Sequence, residues 1–67
     1  MLNIYYIFYH PINNWILKKA DSINFIRRDS SKPELISFAC SVCGKENSEL
    51  LIFDIDGEVS DRICFSN

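Results

Sequence analysis

A small α+β domain is the architecture this sequence predicts: a mainly antiparallel sheet of about five strands with one short helix packed on it. Three observations lead there. Short runs of β-branched and aromatic residues, bounded by polar clusters, recur along the chain. One stretch that opens on Pro11 places Ile12, Trp15, Ile16 and Lys19 at helical spacing. Asp56-Gly57 lies between two apolar segments, as the turn of a hairpin does. At 67 residues, 48% hydrophobic and 24% charged, the chain has room for one core, and residues 1–67 read as a single domain.

Taken in order, Leu2 to Tyr9 is apolar on both alternating faces, the pattern of a strand covered on both sides. His10-Pro11 then reads as a helix entry, because Pro at the first helical position gives up only an unpartnered N–H. The helix is expected over Pro11 to Ala20, with Lys18 and Lys19 at the negative end of its dipole. Ser22 to Arg28 alternates as a second strand, and Asp29 to Pro33 is a loop by composition. Leu35 to Ala39 is expected as a third strand running into a turn at Cys40 to Ser48. Glu49 to Ile55 and Glu58 to Phe65 form the hairpin, giving the order β-α-β-β-β-β. A three-residue loop, Asp56 to Glu58, would pair Ile55 with Val59 and Leu51 with Ile63, keeping one face mostly apolar. A two-residue loop would pair Ile52 with Asp61 and mix the faces.

Charge is unevenly divided. Lys18, Lys19, Arg27, Arg28 and Lys32 against Asp21 and Asp29 give residues 1–33 a net +3. Lys45 and Arg62 against Glu34, Glu46, Glu49, Asp54, Asp56, Glu58 and Asp61 give residues 34–67 a net −5. The overall −2 is too even for a protein that holds nucleic acid by charge alone. The apolar N-terminal run lacks a basic flank and a small-residue cleavage site, and His10, Pro11, Asn13 and Asn14 interrupt it, so neither a leader nor a membrane span is expected. Three cysteines, odd in number, suit a reducing cytoplasm better than a disulfide scaffold. Residues encoded by AT-rich codons (Ile, Asn, Lys, Phe, Tyr, Met) number 29, against 9 for Gly, Ala, Arg and Pro. Small proteins of phages and mobile elements often have this make-up.

One short motif bears on chemistry. Phe38-Ala39-Cys40-Ser41-Val42-Cys43-Gly44-Lys45 resembles one knuckle of a zinc ribbon or rubredoxin-like site. Two thiolates three residues apart on a tight turn can reach one tetrahedral ion, and Gly44 would supply a positive φ. The resemblance covers about eight residues. It implies a structural zinc with Cys64 as third ligand and a ribbon-like C-terminal hairpin. A full ribbon would carry a second Cys pair, whereas this chain has Asp61-Arg62-Ile63-Cys64, so His10 or Asp61 would supply the fourth ligand. In the alternative, Cys40 and Cys64 are small buried hydrophobes. A redox use of Cys40 and Cys43 would want the first thiol at a helix N-terminus, which Gly44, Lys45 and Asn47 do not favour.

No nucleophile–base–acid pattern is apparent, so the expected role is non-catalytic: a small protein-binding regulator or inhibitor of a larger cytoplasmic complex, phage or mobile-element encoded. Trp15 and one tyrosine face are expected in the core. Tyr5 and Tyr9, with Lys18, Lys19, Arg27 and Arg28, form the expected contact surface for a partner or a second copy. A zinc-ribbon nucleic-acid-binding module is the alternative. A chain this size buries only about 60% of its unfolded surface, so a metal or a partner subunit would supplement a marginal core.

Overall fold

The computed structural model describes residues 2–66, with extents of 34 × 23 × 19 Å. Five strands and one helix follow the order β1 (Asn3–His10), β2 (Asn14–Lys19), β3 (Phe25–Asp29), α1 (Lys32–Cys43), β4 (Ser48–Phe53) and β5 (Val59–Phe65). The strands form one sheet in the order β3-β2-β1-β4-β5. Neighbours are antiparallel except β1 and β4, which run parallel. The expected α+β class, a five-stranded and mainly antiparallel sheet with a single helix packed on it, is what forms.

The place of the helix in the chain differs from expectation twice over. Asn14 to Lys19 is a strand, pairing residue by residue with Tyr5 to His10. The turn chemistry at Asn13-Asn14 outweighs the helical spacing of Ile12, Trp15 and Ile16. Asn14 takes φ 65°, a left-handed conformation that Asn tolerates well, and the His10 ring Nδ1 accepts the N–H groups of Ile12 and Asn13. Ile12, meant for a buried helix face, is 83% exposed at the turn.

The helix lies instead at Lys32–Cys43, where Leu35 to Ala39 was expected as a strand. Ser31 is its N-cap, with Oγ accepting the Glu34 N–H, Pro33 sits in the first turn, and Glu34 suits the positive end of the dipole. Leu35, Ala39 and Cys43 then fall on one face at four-residue intervals and are fully buried. α1 carries the chain from the β3 edge back across the sheet, so that β4 enters beside β1. Such a crossover is what a parallel neighbour requires.

Alternation assigns the two faces. Tyr5, Ile7, Leu17, Leu50 and Ile52 join Leu35, Ala39 and Cys43 in the core between sheet and helix. Trp15, Ile63 and Phe65 pack at its margin.

The β4–β5 hairpin falls where Asp56-Gly57 places it, in the register that mixes the faces. Ile52 pairs with Asp61, Leu51 with Arg62 and Leu50 with Ile63, and a bulge after Ile52 brings Phe53 opposite Val59. Turn chemistry sets this. The Asp54 carboxylate accepts the N–H groups of Asp56 and Glu58, and the Asp54 N–H donates to the Glu58 carbonyl at 2.8 Å. Gly57 takes φ 87°, which favours glycine. The bulge absorbs the one-residue mismatch and restores an apolar pair.

Leu35→Ala is expected to lower stability by about 2–5 kcal/mol, since it empties a fully buried site. Ile12→Ala should change it by no more than about 0.5 kcal/mol. Urea unfolding of both variants checks the assignment; a larger loss at Ile12 than at Leu35 would restore the helix to residues 11–20.

Candidate interaction surface

One helix covers one face of the sheet, and the other face is uncovered. Strand alternation places Ile4, Tyr6 and Phe8 of β1, Ile16 of β2, and Leu51 and Phe53 of β4 on that side. The central strand is therefore apolar on both faces. Ile16 is only 4% exposed, yet it stands apart from the core around the helix. Its neighbours on the uncovered face shield it. Tyr6 and Phe53 meet edge to face, ring centroids 5.8 Å apart. Between the ends of β1 and β4 lies a mainly apolar depression of about 360 Å3, with Tyr6, Phe8, Phe53 and Ile55 on its walls.

Charges flank this apolar centre asymmetrically. Lys18 on β2 and Arg28 on β3 face the same side; Arg28 donates to Asn13 Oδ1, and among the described residues neither cation enters an ion pair. Across β1, Glu49 on β4 is 3.5 Å from Arg62 on β5, and the acidic turn Asp54, Asp56 and Glu58 lies at the strand ends. Both edge strands expose apolar side chains, Val59 of β5 at 54% among them. Phe25 and Ile26 on β3 are 46% and 43% exposed.

The residues expected to meet a partner divide between the faces. Tyr5 is a correction: it is buried at 4% exposure, facing the helix, because β1 turns its odd-numbered side chains inward. Tyr9 stacks edge to face on Trp15, centroids 5.3 Å apart, and at the end of β1 it also lines the apolar depression beside Tyr6 and Phe53. Lys19 and Arg27 alternate toward the helix, where the Arg27 guanidinium lies 4.7 Å from the Phe38 ring centroid and 3.7 Å from Asp29. Lys18 and Arg28 remain on the uncovered face. Tyr6, Phe8 and Phe53 on the uncovered face lie outside the contact set that the sequence predicts. The unbroken apolar run of β1 was the available signal, since a strand apolar on both faces needs two coverings.

The ligand set expected from the knuckle is dispersed. Cys40 and Cys43 lie in the last turns of α1, not on a tight turn leaving a strand. Gly44 has φ −66°, so it supplies no positive φ; a Cβ there would stand 3.0 Å from the Cys40 carbonyl oxygen. Cys64 lies on the opposite side of the sheet, exposed, with its thiol 3.7 Å from Glu49 Oε2. Asp61 is on β5 opposite Ile52, and His10 closes the far end of β1, where its ring holds the turn. Among the described residues, no three His, Cys, Asp or Glu side chains are grouped so as to hold a metal ion.

Burial also sets the chemistry at the helix end. It pushes the Cys43 thiol up to about 11, and neighbouring Cys40 and the Glu46 carboxylate add to the shift. Such a thiol stays protonated at neutral pH and is a poor nucleophile. Tyr5 is pushed up to about 12, first by burial and then by its hydroxyl donating to Glu46 Oε1. That bond ties the central strand to the turn after the helix.

No protein family matches the chain, and neither a curated protein nor a solved structure matches it. No helix among the described residues is long and apolar enough to cross a membrane.

Cys43 and Tyr5 hold their protons more tightly when folded than when unfolded, so their contribution to stability is complete below about pH 9. It should be lost as pH rises through 11 and 12. Thermal melts from pH 7 to 12 should show that decline, made shallower in Tyr5→Phe. A melting temperature flat to pH 12 would contradict the assignment.

Proposed function

We propose that this chain is a small non-catalytic protein-binding regulator or inhibitor, acting in the cytoplasm through the uncovered face of its sheet. The observation that carries the reading is the apolar centre of that face, formed by Ile4, Tyr6, Phe8, Ile16, Leu51 and Phe53. Five of these side chains are half-buried and Ile16 is buried, but no other element covers them among the described residues. An apolar sheet face left uncovered supports an interaction site, and aromatics set in it supply binding energy at low entropic cost. Three unpaired cysteines suit a reducing compartment. The AT-rich residue usage supports an origin in a phage or mobile element, where small proteins that occupy sites on host assemblies are common.

The reading predicts that Phe8→Glu abolishes capture of a target protein by the immobilised chain, while Ile12→Glu at the exposed turn leaves it intact. Retention of the same target by both variants would place the binding surface elsewhere.

A second reading draws on the same face. Tyr6, Phe8 and Phe53 beside Lys18 and Arg28 could stack and neutralise a single-stranded nucleic acid. Fluorescence anisotropy with a labelled single-stranded oligonucleotide separates the two. A nucleic-acid binder loses affinity steeply with salt and weakens in Lys18→Ala and Arg28→Ala. Absence of binding at low salt removes this reading.

A further inference from the structure

We infer that the depression at the ends of β1 and β4 receives an arginine side chain of a partner protein. The inference rests on the reading of the uncovered face as a protein-binding surface, and it names the group that anchors the partner there.

The cavity forms where β1 and β4, running parallel, finish side by side. Ile7 pairs with Ile52, so Phe8 and Phe53 come next on the two strands, both turned to the uncovered face with Tyr6 behind them. Tyr9, near the end of β1, adds a fourth ring. These rings line an apolar space of about 360 Å3, and Asp54, directly after Phe53, is the one charged residue lining it among the described residues. Tyr6 meets Phe53 edge to face, and Tyr9 meets Trp15 in the same way. An edge-to-face pair uses one ring face of four, so the electron-rich faces of the rest are free of the partner ring.

The Asp54 carboxylate is already positioned. Its Oδ1 accepts the N–H groups of Asp56 and Glu58 at 2.9 and 3.0 Å, while Oδ2 takes no hydrogen bond among the described residues. Asp54 is half-buried, and none of Asp54, Asp56 and Glu58 enters an ion pair among the described residues. The cations of the face lie elsewhere. Lys18 on β2 and Arg28 on β3 stand across β1 from this turn, and Arg62 on β5 is held by Glu49 at 3.5 Å.

The covered side of the molecule shows what such rings accept. There the Arg27 guanidinium lies 4.7 Å from the Phe38 centroid, and the Lys32 ammonium lies 4.6 Å from that of Trp15. Among the described residues, no cation stands over the four rings of the depression. A cation gains most from aromatic faces where it is shielded from water, which apolar walls provide. Arginine suits the site better than lysine. Its planar guanidinium stacks on rings, forks onto a carboxylate and is more weakly hydrated, and its stem lies along apolar surface.

Two-dimensional NMR of the full chain, titrated with N-acetyl-arginine amide and with its uncharged isostere N-acetyl-citrulline amide, tests this. The arginine probe should saturably shift the ring resonances of Tyr6, Phe8 and Phe53 and the amide of Gly57, which also lines the space. Citrulline should bind at least about fivefold more weakly. Asp54→Asn keeps an oxygen for the two turn N–H groups but removes the charge, and it should weaken arginine by a similar factor. Equal binding of the two probes overturns the inference, as does arginine binding unmoved by Asp54→Asn in a variant whose spectrum is otherwise unchanged. Shifts confined to residues outside the depression, or no shifts, overturn it too. The wider reading fails separately. A target captured by the chain and lost in Phe8→Glu keeps the face as a protein-binding surface even where arginine fails, whereas a target retained by Phe8→Glu removes both.

Discussion

Burial of β1 organises this protein. The strand lies in the middle of the sheet, hydrogen-bonded to β2 on one side and β4 on the other, and it is apolar on both faces. Its inward residues, Tyr5 and Ile7, are sealed by Leu35, Ala39 and Cys43 of the helix. Nothing within the described chain seals the outward ones. With a single helix among the described residues, one face of the five-stranded sheet is left uncovered.

The helix end shows how tightly the covered side is built. Tyr5 reaches from the central strand to Glu46 in the turn between α1 and β4, and Cys43 lies fully buried beside it. The cysteine spacing that suggests a metal knuckle becomes one turn of helix, with Cys43 turned into the core as a small apolar residue. Packing against the sheet is what Cys43 contributes at that end.

How much of this the sequence discloses varies by element. The β4–β5 hairpin is legible because Asp56-Gly57 has a local physical reason to turn. Its register is not, because the bulge after Ile52 depends on backbone bonds across the turn from Asp54. The helix has a signal in the sequence, Ser31-x-x-Glu34, Pro33, and Leu35, Ala39 and Cys43 at four-residue spacing, but the loop-like composition before it masks that signal. Composition alone makes Asp29 to Pro33 look like a loop, when it holds a helix cap. The reverse holds before it: Ile12, Trp15 and Ile16 stand at i, i+3 and i+4 as in a helix, while the run Trp15-Ile16-Leu17 suits a strand covered on both faces equally well. Tertiary pairing with β1 decided it. Which tyrosine faces outward follows from which side the helix takes, and that is a long-range fact.

The most direct test of the account is the binding of an apolar fluorescent dye to the natural chain and to Phe8→Glu, with far-UV circular dichroism confirming that the variant folds. The natural chain should bind the dye and the variant should lose it, because Phe8 lies on the uncovered face of the central strand. Dye binding that ignores Phe8→Glu, or no dye binding at all, would contradict an uncovered apolar face.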